Sequence, residues 1–276
     1  MLYLKKISYY LLIFVLLFVL VAGPMPQSSL AYDCSDEKIM RQALKVCEVK
    51  SDIIYRLEKK GLKLSKEADE GITRLVQKAN LDRVAREDLD LIYNKIEDVP
   101  ATQGGGSEGL LKFFENIGNL GENTKGLEKL SKKMVESDTS NMIGIIGEVD
   151  VAAKKCKGKD VEFGNIYKSE RFSGKADLDI VDSATGDCYE VKNLKIERWN
   201  DEEEMVKILD GEYEKALKKI EYAVKNDSKF HFSVRGNLDQ QTFKKIKDRI
   251  NDDWGKKLKK KGLDDWINRI VVENIT

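Results

Sequence analysis

Acidic side chains crowd one short stretch of the sequence, GKADLDIVDSATGDCYEVKN, at positions 174–193. Asp177 and Asp179 lie two apart in one strand-like run, and Glu190 and Lys192 lie two apart in the next. Because successive side chains on a strand point to opposite faces, each pair is predicted to share a face of its own strand. Carboxylates and a lysine at this spacing could bind a hard divalent cation and orient a water molecule.

The two strand-like runs are joined by SATG, a turn of hairpin length that contains a glycine. If Asp182 and Asp187 close this hairpin, the register places Asp179 opposite Glu190. Two acids opposed across neighbouring strands repel each other and destabilise the sheet. We therefore expect a bound cation to offset the repulsion, and Mg²⁺ or Mn²⁺ is the type of ion that carboxylate oxygens bind.

Periodic patterns on both sides of the hairpin predict the elements that hold it in place. NMIGIIGEVDVAAKKC predicts a helix that begins near Ile143 and ends before Gly158. Strand-like runs follow in DVEFGNIY, KADLDIVD and CYEVKN, and DEEEMVKILDGEYEKALKKIEYAVKN predicts a further amphipathic helix. KFHFSVRG alternates like a strand, so residues 142–250 have the predicted order α-β-β-β-α-β-α, and helical segments close the chain.

This order and the acidic pattern resemble the PD-(D/E)XK, or restriction-endonuclease-like, phosphodiesterases. DIV followed by EVK is similar to the D-x(n)-(D/E)-x-K signature of that family, and GIIGEVDVAAKKC is similar to its first core helix. The resemblance covers roughly residues 142–235. It implies an α-β-β-β-α-β core around a small mixed sheet and the metal-dependent hydrolysis of nucleic-acid phosphodiester bonds.

The resemblance also implies roles for particular side chains. Carried over, Asp179 and Glu190 are metal ligands, and Glu148 is the helix acid that joins the metal site. Lys192 is then the catalytic lysine that positions water. Asp177 is an alternative to Asp179, which is preferred because apolar residues follow it. No proline precedes either aspartate, which departs from the family pattern.

Simpler interpretations of the same residues stay open. Glu148 can complement the N-terminus of a helix, and the acids and lysine of the hairpin can form an ordinary solvated face. A calcium-loop interpretation of DLDIVDSATGD fails because Val181 stands where a third ligand should be. The alternative function is a secreted helical interaction protein with a non-catalytic nuclease-like domain.

Nucleic-acid binding would depend on a local basic patch, because 48 Lys and Arg residues balance 48 Asp and Glu residues. The candidates for phosphate contacts are Lys175, Lys195, Arg198 and the lysines of the following helix, Lys215, Lys218 and Lys219. The single histidine, His231, excludes two-histidine ribonuclease chemistry. The expected partners are DNA or RNA and, in a toxin-like role, an inhibitor or immunity protein.

The four cysteines are expected to form disulfides, because an even number in an exported chain favours pairing. Their grouping suggests the pairs Cys34–Cys47 and Cys156–Cys188, and other connectivities stay open. Since no C-x-x-C motif accompanies the single histidine, the sequence argues against a structural zinc site.

The N-terminal segment has the features of an export signal. Lys5 and Lys6 precede the apolar run LLIFVLLFVLVAG, and the small residues Ser29 and Ala31 fit a signal peptidase site. Residues 1–31 are therefore predicted to be a signal peptide, and the protein to be secreted without stable membrane association after its removal. An uncleaved anchor is less favoured because the apolar run is short for a membrane span of about 20 residues.

Amphipathic patterns over residues 36–97 predict helices, and Pro100 followed by ATQGGGSEG predicts a flexible break. We therefore expect a helical domain at 32–100, a linker with a helical connection at 101–141 and a nuclease-like domain at 142–276. The predicted fold class is α+β: an N-terminal α-helical region followed by a restriction-endonuclease-like core.

Overall fold

The computed structural model describes residues 34–78 and 86–276, so the predicted signal peptide lies outside the described residues. Residues 42–276 form one compact unit. No helix in the described ranges is long and apolar enough to span a membrane. The first part of the chain is helical: α1 Cys34–Lys59, α2 Lys66–Lys78, α3 Arg86–Asp98, α4 Gly106–Gly118 and α5 Leu127–Glu136.

Helices α2 and α4 pack closely because glycines face the partner backbone. A Cβ atom at Gly71 would lie 1.8 Å from the Phe114 carbonyl oxygen, and one at Gly118 would lie 1.9 Å from the Glu67 carbonyl oxygen. Real side chains do not tolerate such distances, so these two positions require glycine at this separation of the helices. The amphipathic pattern that predicted the helices thus also brings their apolar faces together.

The glycine-rich stretch ATQGGGSEG, expected from its composition to be a flexible break, contains a tight turn and the start of helix α4. A short 3₁₀ turn, Ala101–Gln103, leads almost directly into helix α4 at Gly106. A Cβ atom at Gly105 would lie 2.0 Å from the Val99 carbonyl oxygen, so this glycine allows two backbone segments to touch. The helical region and the sheet share one compact unit across the predicted linker.

The second part of the chain builds a sheet between helices. Its elements are α6 Thr139–Lys155, β1 Val161–Lys168, β2 Lys175–Asp182, β3 Cys188–Lys192, α7 Ile196–Asn200, α8 Glu202–Lys225, β4 Phe230–Arg235, α9 Gln240–Arg249, a π turn Ile250–Trp254, α10 Gly255–Lys260, a 3₁₀ turn Asp264–Arg269 and β5 Ile270–Ile275. The strands lie in the order β1-β2-β3-β4-β5. Neighbours among β1, β2 and β3 are antiparallel, whereas β3, β4 and β5 are parallel.

The observed fold confirms the α+β class, the helical N-terminal region and the small mixed sheet. The strand β5 differs from the expectation, because the sequence pattern indicated only helical segments at the end of the chain. This strand pairs in parallel with β4 along its whole length and completes one edge of the sheet.

Each face of the sheet has its own hydrophobic core. Helices α1 to α6 pack on one face, together with Tyr189 and Val191 of β3. Helices α8 to α10 pack on the other face, where Phe230 and Phe232 of β4 are fully buried. The alternation of side chains along β3 and β4 therefore separates the two cores, as expected for a sheet that is covered on both sides.

The predicted disulfides are not formed, since Cys47, Cys156 and Cys188 are free thiols. Cys156 belongs to the core on the α6 face of the sheet, and Cys188 belongs to the core on the α8 face. The Cys188 thiol points to the carbonyl oxygen of Lys219 on α8, at 3.6 Å. The pair Cys156–Cys188 is thus blocked by the sheet itself. Cys47 is an exposed free thiol, and the side chain of Cys34 lies outside what the structure describes.

Candidate functional site

The hairpin of β2 and β3 has the register that the sequence predicted. Ile180 pairs with Tyr189, and the same register places Asp179 opposite Glu190. Beyond this point the two strands separate. The Asp179 carboxylate fills the gap, because its Oδ2 atom accepts a hydrogen bond of 2.9 Å from the Val191 N–H group.

The ladder between β1 and β2 is interrupted at Gly164 and Asp179. Gly164 has a φ of +59°, in the left-handed region that favours glycine. Ile180 packs in the core on the α6 face, whereas Leu178, two residues earlier, packs in the core on the α8 face. Strict alternation would place both on one face, so the side-chain alternation of β2 changes at Asp179.

This change separates two acids that were expected to share a face. Asp177 pairs with Lys133 of α5, at 3.3 Å, whereas Asp179 lies 3.4 Å from the ammonium group of Lys219 on α8. The expectation of a shared face is therefore wrong, and the interruption at Gly164 is the physical reason. Asp179 rather than Asp177 is the aspartate that lies beside Glu190, as preferred from the sequence.

Glu190 is held by a lysine at each carboxylate oxygen. Its Oε2 atom accepts a short hydrogen bond from Lys219, and its Oε1 atom lies 2.6 Å from the ammonium group of Lys192. Lys192 is shared, because its ammonium group also lies 2.8 Å from Oε2 of Glu212 on α8. Burial alone would raise the pKa of Glu190, but attraction to Lys219 and Lys192 outweighs it and lowers the pKa to about 2.

The two lysines stay protonated for the same reason. Burial would lower the pKa of Lys219, but attraction to Asp179 and Glu190 raises it above the ordinary value. The pKa of Lys192 is also raised, because Glu190 and Glu212 outweigh its burial. Asp179 has a raised pKa, caused first by burial and then by repulsion from the Glu190 carboxylate.

Glu148 enters the same region from helix α6. Its Oε2 atom is buried and has no hydrogen-bond partner among the described residues. Burial first, and then the Asp179 carboxylate, raise the pKa of Glu148 to about 8. A buried carboxyl oxygen without a partner is costly, so this atom fits a site that a cation or a donor group completes.

These residues form what we call the carboxylate–lysine cluster, which has five acids and three lysines. Its members are Glu148, Asp177, Asp179, Glu190, Glu212, Lys133, Lys192 and Lys219. With every group ionised the cluster would have two net negative charges, but the raised pKa of Glu148, about 8, keeps that carboxyl mostly protonated at neutral pH and leaves about one net negative charge. Within residues 34–78 and 86–276, no three or more His, Cys, Asp or Glu side chains are grouped closely enough to hold a metal ion.

The arrangement fits a metal site with two protein carboxylates. Mg²⁺ is usually bound by one or two carboxylates and keeps several of its waters. Asp179 and Glu190 lie on facing strands and touch the same ammonium group, which supplies the positive charge between them. Glu148 brings a buried oxygen without a partner to the same region. It is not grouped closely enough with Asp179 and Glu190 to be a third ligand.

The predicted phosphate-binding residues are divided between several places. Lys195 and Arg198 line a cleft of about 570 Å³ together with Arg235, outside the carboxyl ends of strands β3 and β4. Such crevices are common ligand sites in sheets with parallel strands. Lys215 is exposed on α8 and pairs with Glu212 of the cluster, at 3.1 Å, while Lys175 is exposed at the start of β2.

No role was assigned to Glu212 or Lys133 from the sequence, and Lys219 was expected only to contact phosphate. Lys219 has a signal there, because it lies within the apolar stripe of α8 that includes Ala216, Ile220 and Ala223. A lysine at a buried position of an amphipathic helix needs a charged partner. Lys133 and Glu212 carry no comparable signal, since their contacts depend on which helices meet the strands.

In comparisons with known proteins, the chain matches no family model, no curated protein and no solved structure. Its function is therefore inferred from the chemistry of the cluster and from the topology that positions it. The chemistry of the cluster and the topology both indicate a site where β2 and β3 separate, with α6 on one face of the sheet and α8 on the other.

Proposed function

We propose that this protein is a metal-dependent phosphodiesterase that hydrolyses nucleic acid. One observation carries the proposal: Asp179 and Glu190 are opposed where β2 and β3 separate, Lys192 contacts Glu190, and Glu148 approaches from α6. Acidic ligands with an adjacent lysine can bind a hard cation and stabilise the charge that grows on a phosphate during hydrolysis.

The order of elements supports a PD-(D/E)XK-like core in the nuclease-like domain, residues 142–276. From α6 onwards the chain runs α-β-β-β, passes through the short helix α7 into α8 and returns in β4. The sheet is mixed, with antiparallel pairs at β1–β2 and β2–β3 and a parallel pair at β3–β4. This is the element order that the resemblance implied, and it brings the acids of the signature to one place.

In the proposed reaction, Asp179 and Glu190 would hold Mg²⁺ or Mn²⁺, and the ion would supply Lewis-acid chemistry to the phosphate and the attacking water. Lys192 remains an ammonium group at neutral pH because its pKa is raised. It therefore donates hydrogen bonds and positive charge to the attacking water and the phosphate and does not act as a general base. Glu212 holds this ammonium group in position.

The substrate is proposed to extend from the cluster into the cleft that Lys195, Arg198 and Arg235 line. Strand β3 connects the two places, because Lys192 ends the strand and Lys195 follows three residues later. Cations along a path of this kind contact successive phosphates of a nucleic acid and contribute affinity rather than sequence preference.

We further propose that the protein is exported by the signal peptide at residues 1–31 and acts outside the cell as a toxin-like or scavenging nuclease. The apolar run behind Lys5 and Lys6 and the small residues at the cleavage site support export. A toxin-like role would require an inhibitor or immunity protein as a partner of the producing cell.

The test uses the chain without residues 1–31, incubated with plasmid DNA and with structured RNA, in Mg²⁺ and in EDTA. We expect cleavage that needs Mg²⁺ and is lost in Glu190→Ala and Lys192→Ala. Glu203→Ala and Lys207→Ala are matched controls, because these two side chains are 90% and 78% exposed. Cleavage in EDTA, or full activity in Glu190→Ala, would refute the proposed mechanism.

A second candidate is a secreted interaction protein with a non-catalytic nuclease-like domain. It is favoured by the ion pairs of Glu190, whose charge is already neutralised by Lys219 and Lys192 without a metal. This candidate predicts no effect of Mg²⁺ on the melting temperature and no cleavage of either polymer. A melting temperature that rises with Mg²⁺ in the wild type but not in Glu190→Ala would exclude it.

A further inference from the structure

Lys219 occupies the position between the two candidate metal ligands. Its ammonium group hydrogen-bonds to Oε2 of Glu190 and lies 3.4 Å from Oδ1 of Asp179. The side chain is only 8% exposed, and its stem lies in the buried stripe of α8. The charge that offsets the repulsion between the two acids is therefore part of the protein.

Lys192 and Lys219 differ in the partners available to them. Lys192 is shared between Glu190 and Glu212, so it keeps an acid partner when Glu190 binds something else. The ion-pair partners of Lys219 within the described ranges are Asp179 and Glu190. A cation that binds these two carboxylates thus removes both partners of Lys219 and leaves a buried ammonium group beside a second positive charge.

An isolated buried charge is strongly unfavourable, and like charges a few ångströms apart repel each other. A metal ion alone must therefore displace Lys219 at a considerable cost. A phosphate that arrives with the metal lowers this cost, because its oxygens give the displaced ammonium group a new partner. Each ligand then makes the binding of the other more favourable, and the effect is reciprocal.

We propose that Lys219 is an internal counter-ion that keeps the candidate metal site closed until a phosphodiester draws it away. The inference rests on the proposed function, because it concerns the same pair of carboxylates. It adds a form of regulation: the metal and the phosphodiester each favour the binding of the other, so the metal site binds its ion more tightly when substrate is present. The retracted Lys219 then neutralises charge on the bound phosphate.

The test measures binding of Mn²⁺ to the wild-type chain by the electron paramagnetic resonance signal of the free ion. Binding is measured alone, with dimethyl phosphate, which is the simplest phosphodiester anion, and with trimethyl phosphate, its neutral counterpart. We expect dimethyl phosphate to tighten Mn²⁺ binding by about fivefold or more. Trimethyl phosphate should leave the affinity unchanged.

Two variants test whether the effect of phosphodiester on Mn²⁺ binding depends on Lys219. Lys219→Met removes the charge and keeps the stem, so it should bind Mn²⁺ about tenfold more tightly than the wild type in the absence of phosphodiester. Dimethyl phosphate should give no further gain. Lys207→Met, which removes a 78% exposed lysine from the same helix, is the control and should behave like the wild type.

The outcomes separate the counter-ion from the proposed function. Equal Mn²⁺ affinity of the wild type and Lys219→Met, with no effect of dimethyl phosphate, would refute the counter-ion and leave the metal site intact. Failure of every variant to bind Mn²⁺, with or without phosphodiester, would refute the metal-dependent function and the counter-ion with it. If Lys219→Met does not fold, the wild-type measurement with the two phosphate esters still tests whether an anionic phosphodiester tightens Mn²⁺ binding.

Discussion

Lys219 of helix α8 and Glu190 of strand β3 form an ion pair whose side chains are only 8% and 9% exposed. Removing two charges from water costs several kcal/mol for each ion, and a well-packed apolar pair is often as stable or more stable. A gain in stability is therefore a weak explanation for the presence of this ion pair. A site whose charged groups change partners when a ligand binds explains it better.

The raised pKa of Glu148 predicts how stability changes with pH. A glutamate carboxyl has an ordinary pKa of about 4.5, as in the unfolded chain, whereas the pKa of Glu148 in the folded protein is about 8. The folded state therefore favours the protonated form. Stability is then lost as the pH rises from about 4.5 to about 8. Glu148→Gln removes this loss, and we expect it to stabilise the protein by a gain of the order of 3 kcal/mol at pH 7.

The measurement is urea unfolding of both proteins at pH 5 and at pH 8, where the gain from Glu148→Gln should be larger at pH 8. Glu128→Gln, at an exposed position of α5, is the control and should stay within about 0.5 kcal/mol of the wild type. Equal gains at both pH values would show that Glu148 is ionised in the folded state despite its buried oxygen.

The cleft behind the cluster predicts a change in the salt dependence of nucleic-acid binding. Lys195→Ala combined with Arg198→Ala should lower the slope of log K against log salt concentration by about 0.7 to 0.9 for each lost phosphate contact. Binding is measured in EDTA by fluorescence anisotropy, so that cleavage does not interfere. An unchanged slope would place the nucleic acid elsewhere.

The control for this measurement has the same change in charge at a distant place. Lys63→Ala combined with Lys66→Ala removes two exposed lysines from the region where α2 begins. This variant should keep the slope of the wild type. A loss of slope in both double variants would indicate a general effect of net charge and not a contact in the cleft.

The free thiols predict a pattern of chemical labelling. Cys47 is exposed and should react with a thiol reagent in the native protein. Burial raises the pKa of Cys156 to about 11 and that of Cys188 to about 12, so both should react only after unfolding. Peptide mapping by mass spectrometry distinguishes the sites, and a Cys156–Cys188 cross-linked peptide would contradict the placement of these thiols on opposite faces of the sheet.

The hairpin was predictable because its signals are local. A four-residue turn with a glycine joins two alternating runs, and the Asp182 N–H group donates to the Asp187 carbonyl oxygen as the closing pair requires. Helix α6 and helix α8 were predictable from their apolar periodicity. The register that opposes Asp179 and Glu190 follows from the turn, so the centre of the candidate site was also within reach of the sequence.

Other features depend on contacts between distant parts of the chain. The run IVVENI in β5 is short and forms a strand because β4 offers it a free parallel edge. Cysteine spacing gave no information on which face of the sheet each thiol occupies, and this is why Cys156–Cys188 was paired wrongly. Lys219 could be recognised as a buried lysine, but its partners are known only once α8 lies across β3.

Gly164 gives the last prediction, because its left-handed backbone interrupts β1 beside Asp179. A side chain at this position meets only ordinary contacts, the nearest being 3.6 Å from Lys129, so the cost of substitution comes from the φ of +59°. Gly164→Ala should destabilise the protein by about 1 to 2 kcal/mol. Gly164→Asn should cost less, since asparagine adopts this conformation more readily.

Gly144 is the matched control, because it lies in helix α6 and a Cβ atom there would meet nothing within 4 Å. Gly144→Ala should stabilise the protein by about 0.5 to 1 kcal/mol. Urea unfolding measures all three variants. If Gly164→Ala is as stable as the wild type, the backbone at Gly164 does not need the left-handed conformation. The interruption that separates Asp177 from Asp179 would then need another cause.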